Sequence, residues 1–222
     1  MRMKRKIVIL VVATILICAS ILCLSACNRQ KDEKTGDNIS RLTAEYYVGE
    51  SELFAVTVEK GRREKNFIAD GKATDVQDFA EVTILPLKTN DYEEITYVLN
   101  GENATLEGTV KKSEYGEYTA QIALDFVPTS VTLTAGETSE TIDLASVLEG
   151  ALTPEDVINI AKNEFKETLD KEATTGKERE IYLKIITGDR ENYYYYVSFI
   201  GDGVDYLAVL IEPKTGKIVS KK

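Results

Sequence analysis

The chain contains no histidine and no tryptophan, and its three cysteines, Cys18, Cys23 and Cys27, all lie near the start of its 222 residues. Each absence closes off chemistry. Without His there is no Ser-His-Asp or Cys-His pair, no imidazole general base and no imidazole metal ligand. Beyond Cys27 no thiol remains, so the folded part has no disulfide, no thiolate zinc site and no cysteine nucleophile. No Ser-x-x-Lys dyad occurs. The 37 acidic residues single out no pair for glycoside hydrolysis. Asp70, Asp75 and Asp78, or Asp202 with Asp205, lack the alternate-residue spacing of a calcium loop. Gly201-Asp202-Gly203 lacks the third glycine of a phosphate loop and falls between two strand patterns, which predicts a hairpin turn. The expectation is a protein without catalytic residues, metal or cofactor. What is present is ordinary globular material, 43% hydrophobic and 29% charged, in a length suited to one or two domains.

The strongest signal is at the start. Arg2, Lys4, Arg5 and Lys6 are followed by an uncharged apolar run over residues 7–26, and then by the polar stretch 28–38. Such a run can be a membrane-spanning helix. A basic start, an apolar middle and a small-residue end also describe a cleavable signal peptide. The run closes on Leu24-Ser25-Ala26-Cys27, which resembles the lipobox of bacterial lipoproteins. That resemblance implies a diacylglycerol on the Cys27 thiol, cleavage before Cys27, and a body anchored by lipid at the extracytoplasmic face of the cell membrane. The alternative is an uncleaved anchor helix. Both place the body outside the cytoplasm, because the basic end stays inside. Residues 28–38, NRQKDEKTGDN, hold no apolar side chain and read as a flexible tether.

Removal of residues 1–26 takes away four bases and no acids. The remainder has 23 basic against 37 acidic residues, a formal charge of −14. A body this acidic is repelled by phosphate backbones, so no nucleic-acid partner is expected.

Residues 40–148 show strand patterns. Phe54, Val56 and Val58 alternate with polar or small neighbours, as do Val82 and Ile84, then Ile95, Tyr97 and Leu99. The longest alternation runs through Tyr118, Ala120, Ile122, Leu124 and Phe126, and predicts one strand with a buried and a wet face. Asn100-Gly101 marks a hairpin. Several short strands separated by turns predict an all-β sandwich. Ser113-Glu114-Tyr115-Gly116-Glu117-Tyr118-Thr119-Ala120 resembles the tyrosine corner of immunoglobulin-like domains, with Ala120 in place of the usual Cys. That implies an immunoglobulin-like variant of the sandwich.

The pattern changes near residue 150. Thr153-Pro154-Glu155-Asp156 is a helix start, with Thr as N-cap, Pro in the first turn and acids at the positive helix end. Val157, Ile160, Ala161, Phe165 and Leu169 share one face and predict a helix to about Asp170, then a loop over 171–180. Strands are predicted over 181–187, 193–200, 206–212 and 217–220. Residues 150–222 thus form a small α+β domain of one helix on an antiparallel sheet. The helix start with Ala161, the strand Tyr195-Tyr196-Val197-Ser198-Phe199 and the ending Val209 to Val219 with its Thr215-Gly216 turn resemble a PepSY domain. Val157 and Glu212 depart from that family's usual Ala and Asp. The resemblance implies a secreted or membrane-bound bacterial protein that in some cases inhibits or regulates a protease, and it supplies no catalytic residue.

The organisation expected is therefore a signal peptide (1–26), a lipidated Cys27 with its tether (27–39), a β-sandwich (40–148) and the PepSY-like α+β unit (150–222). Strand alternation that aims Tyr193, Tyr195, Val197 and Phe199 at the helix aims Tyr194 and Tyr196 away from it. Tyr182 and Tyr206 are expected on the same outer face. Exposed Tyr offers flat contact area at low entropy cost, so these four are the candidate partner-binding residues. The opposed possibility is that this face packs on the sandwich. The functional expectation is a non-enzymatic lipoprotein that binds or regulates another envelope or secreted protein, a protease among the candidates. The alternative is an accessory or substrate-binding role in envelope or carbohydrate metabolism, with the sandwich as the binding part.

Overall fold

A computed structural model describes residues 38–222 apart from 89–91 and 115. The signal-peptide segment, Cys27 and most of the tether lie outside the described residues, as does Tyr115 of the tyrosine-corner motif. Asn38–Lys222 forms one compact unit.

That unit is mostly β, with two sheets and two helices. Strands β1 (Ile39–Glu50), β2 (Phe54–Glu64), β3 (Val76–Pro86) and β6 (Tyr118–Gln121) pair antiparallel in sequence order. A second sheet holds β4 (Glu94–Asn100), β5 (Thr105–Lys111), β7 (Ser130–Ala135) and β8 (Thr138–Asp143) in the order β5-β4-β7-β8. The inward positions of both sheets, Phe54, Val56, Val58, Val82, Ile84, Ile95, Leu99, Val131 and Leu133 among them, bury one another in a sandwich core. The Asn100-Gly101 hairpin is present, with the Gly101 N–H bonded to the Ala104 carbonyl at 2.8 Å.

The alternation through Phe126 predicted a single long strand, and this is corrected: β6 stops at Gln121. Ile122 makes one further backbone bond, to Ala80, and the chain then crosses between the sheets. Ile122, Leu124 and Phe126 still point into the sandwich core, which is why their period survives without a strand. The Tyr118 hydroxyl donates to the Tyr92 carbonyl at 2.5 Å and accepts the Tyr92 N–H at 3.1 Å. A tyrosine corner bonds a few residues upstream; here the bond reaches back across 26 residues.

After β9 (Ala145–Ser146), which pairs with β1, the second core begins. Helix α1 (Pro154–Glu164) starts as expected: the Thr153 hydroxyl accepts the Asp156 N–H at 3.2 Å, and Pro154 opens the first turn. The continuous helix to Asp170 is corrected. Phe165 leaves helical dihedrals (φ −105°, ψ 15°) as its ring meets Phe199 edge-on at 6.1 Å. A separate helix α2 (Lys166–Thr174) follows and occupies much of the expected loop. Strands β10 (Glu180–Thr187), β11 (Tyr193–Ile200), β12 (Tyr206–Ile211) and β13 (Ile218–Lys221) form an antiparallel meander. Val157, Ile158 and Ala161 of α1 bury against Leu183, Val197, Val209 and Ile211. The turn before β13 needs Gly216 at φ +72°, and a Cβ there would lie 2.7 Å from Ile160 and 2.9 Å from Leu152.

The pattern change near residue 150 coincides with the change of core, while the larger sheet runs through it. β10 pairs parallel with β1, Leu42 opposite Leu183, so the large sheet is ordered β13-β12-β11-β10-β1-β2-β3-β6. Partners across a ladder point to the same side. One face of this sheet therefore meets the second sheet at one end and α1 at the other.

Candidate binding face

The opposite face of β10–β13 is set by the same alternation. Tyr195, Val197 and Phe199 are buried against the helix side. The Tyr195 hydroxyl donates to the Leu152 carbonyl at 2.9 Å, and burial pushes its pKa up to about 12. Tyr194 and Tyr196 point the other way. Ladder partners bring Tyr182 beside Ser198, Lys184 beside Tyr196, Ile186 beside Tyr194, Leu210 beside Tyr196, and Tyr206 beside Ile200. All four candidate tyrosines thus share one face, each half-buried. Neither helix nor the second sheet packs on it.

The structure adds cations that sequence reasoning missed. The Lys184 ammonium sits 5.9 Å from the Tyr182 ring centre and 5.8 Å from that of Tyr196. Lys222 lies 4.1 Å over the Tyr206 ring and hydrogen-bonds its hydroxyl. On β1, Arg41 stands 5.7 Å from Tyr182 and 4.9 Å from Phe79, and Arg63 covers Phe79 at 4.4 Å. Rings and cations therefore alternate across the sheet from Tyr196 through Lys184, Tyr182, Arg41 and Phe79 to Arg63. Arg41 is held by both Glu59 oxygens at 2.8 Å, Glu59 also accepts the Thr43 hydroxyl at 2.5 Å, and Arg63 bonds Glu81 at 3.1 Å. Period two was enough to put Lys184 on the face of Tyr182. No local pattern could place Arg41 there, because its strand meets β10 from 141 residues away in the chain, as the Ser40–Ile181 bond records.

A strap, residues 65–75, closes one end of this face. Asn38 fastens it, donating to the Gly71 carbonyl at 2.7 Å and accepting the Ala73 N–H at 2.7 Å. Asp70 bridges Asp202, and Phe67 stacks edge-on to Tyr182 at 5.5 Å. Glu180 and Glu64 are buried at this end, 0% and 4% exposed. Neither Glu180 oxygen, nor Glu64 Oε2, nor the Ser198 hydroxyl has a hydrogen-bond partner. Burial raises the Glu180 pKa, with Glu64 and Asp70 adding to it, against smaller opposite pulls from the Ser40 hydroxyl and the Gly71 amide.

Nearby, Arg179 ties the loop after α2 to the β11–β12 turn. It bonds Glu172 at 2.5 and 2.8 Å and Asp205 at 3.0 and 3.1 Å. The Arg179 bond holds the Glu172 carboxyl down at about 2. Asp205 is thereby engaged in ion pairs. Among the described residues no group of three or more acidic side chains could hold a metal ion, and no helix is long and apolar enough to cross a membrane. Chemically the face offers aromatic surfaces, phenol hydroxyls and ammonium groups, which suit noncovalent recognition.

The chain matches no known protein family, no curated protein and no solved structure.

Proposed function

We propose that this protein is a non-enzymatic lipoprotein, anchored by an acylated Cys27 at the extracytoplasmic face, that binds or regulates another envelope or secreted protein through the outer face of β10–β13. The observation that carries the reading is the gathering of Tyr182, Tyr194, Tyr196 and Tyr206 on one sheet face, covered among the described residues only at one end, where Phe67 of the strap meets Tyr182. Tyr is a preferred anchor where one side of a contact is apolar and the other wet. The helix on an antiparallel meander is the architecture that a PepSY-like module would have, and that likeness makes a protease a candidate partner. The β-sandwich then serves as the stalk, an immunoglobulin-like variant by its tyrosine-corner resemblance.

Crosslinked capture from intact cells tests this. Tyr194→Ser and Tyr196→Ser should reduce partner recovery, with an affinity loss of roughly 2 kcal/mol, about thirtyfold, for a residue at the centre of the contact. Because both rings are half-buried, the same changes should also cost folding stability, on the order of 1 kcal/mol, which melting measures beside capture. Lost stability with unchanged capture would show the tyrosines to be structural and reject the binding face.

A further inference from the structure

The chain beyond residue 26 is strongly acidic, yet this outer face is not. The outward positions of β10–β12 are Glu180, Tyr182, Lys184 and Ile186, then Tyr194, Tyr196, Ser198 and Ile200, then Tyr206, Ala208 and Leu210. Ser220 and Lys222 continue it beyond. Its one acid, Glu180, is fully buried under the strap. The charges this face shows to solvent are the ammonium groups of Lys184 and Lys222. Lys184 has no ion-pair partner among the described residues. It stands between two rings, which fixes its ammonium without neutralising it. Two acids at the rim are already engaged, Asp205 by Arg179 and Asp189 by the amides of Glu191 and Asn192.

Resting on the binding role just proposed, we infer that this face takes an acidic polypeptide segment, with a carboxylate on Lys184 between the Tyr182 and Tyr196 rings. The charge complementarity is local. At physiological salt, exposed charges more than about 8–10 Å away are largely screened, so the acidic remainder of the surface does little to oppose it. Phe67 and Ile68 of the strap, 48% and 62% exposed, add apolar contact at the rim for side chains flanking the acid. A face whose one acid is buried, with an unneutralised lysine between the Tyr182 and Tyr196 rings, selects against basic partners as well as favouring acidic ones.

The test uses the whole ectodomain and two fluorescent peptides, one alternating Glu and Val, the other Gln and Val, read by anisotropy at low and high salt. The Glu peptide should bind more tightly than the Gln peptide, and the gap should close as salt rises. Lys184→Gln should weaken the Glu peptide roughly tenfold and leave the Gln peptide unchanged, with Lys184→Arg retaining most of the binding. Lys222→Gln, at an exposed position, should give a smaller loss in the same direction and serves where the Lys184 variant melts early. Equal binding of the two peptides, or a Lys184→Gln variant with unaltered preference, overturns the inference. So does tighter binding of polyphosphate or an anionic polysaccharide than of the Glu peptide. Partner capture from cells that falls with Tyr196→Ser but not with Lys184→Gln would leave the binding role standing and remove only the acidic partner. Capture that survives both changes removes both.

Discussion

Glu180→Gln should stabilise this protein at neutral pH. The wild-type carboxyl is fully buried, and neither oxygen has a hydrogen-bond partner. Its neighbours Glu64 and Asp70 are also acids, and they disfavour its charge. An unsatisfied buried polar group costs about 1–3 kcal/mol, and more when charged. Gln keeps the shape and removes the charge. The expected gain is therefore about 1–3 kcal/mol, which at roughly 2–4 °C per kcal/mol is visible in a melting curve. The pH dependence gives the sharper check. The folded-state pKa of Glu180 lies above its ordinary value of 4.5. The folded state then holds this proton more tightly than the unfolded chain does. The cost of Glu180 is complete above its folded pKa, shrinks as pH falls, and is gone below about 4.5. Melting of the wild-type and Glu180→Gln proteins over a pH series should thus show curves that are apart at neutral pH and converge in acid. A variant less stable than wild type at neutral pH, or a gap that does not close in acid, would mean that the carboxylate has a stabilising partner, and the reasoning would fail.

The Arg179 cluster has the opposite sign. Glu172, held at about 2 by its bond from Arg179, contributes stability that is present above its ordinary 4.5 and lost as pH falls toward 2. Glu172→Gln should cost about 1–2 kcal/mol at neutral pH and flatten that acid limb, measured by denaturant unfolding; an unchanged midpoint would dismiss the cluster as a surface ornament. Gly216→Ala should destabilise by more than the roughly 1–2 kcal/mol of a left-handed residue, because the added methyl also meets Ile160 and Leu152; a neutral melting temperature would contradict the turn geometry. Cys27→Ala should abolish metabolic labelling by palmitate and leave an uncleaved precursor, and normal maturation with label still incorporated would reject the lipid anchor.

Most of the strand and turn pattern was legible in the chain. Buried Ile95, Tyr97 and Leu99 gave β4, the Thr153-Pro154 cap gave the start of α1, and Gly216 announced its own positive φ. These are local features, in which a residue's periodicity or backbone preference acts through near neighbours. The errors came where local pattern and tertiary partner diverge. Ile122, Leu124 and Phe126 alternate because a core on one side of the crossing chain needs them, although no strand lies alongside to make them β. The helix departs from its dihedrals at Phe165, whose ring meets Phe199 in a distant strand.

The same division holds for the candidate site. Period two alone determined that Tyr194 and Tyr196 oppose Tyr195, since successive strand residues must face opposite ways. Only the fold decided what stands beside them. The parallel pairing of β1 with β10 carries Arg41 and Phe79 into line with Tyr182, and the strap seals Glu180 away from water. Strand pairing and burial depend on contacts between segments far apart in the chain. Their energies belong to the packed sheet and not to any window of sequence.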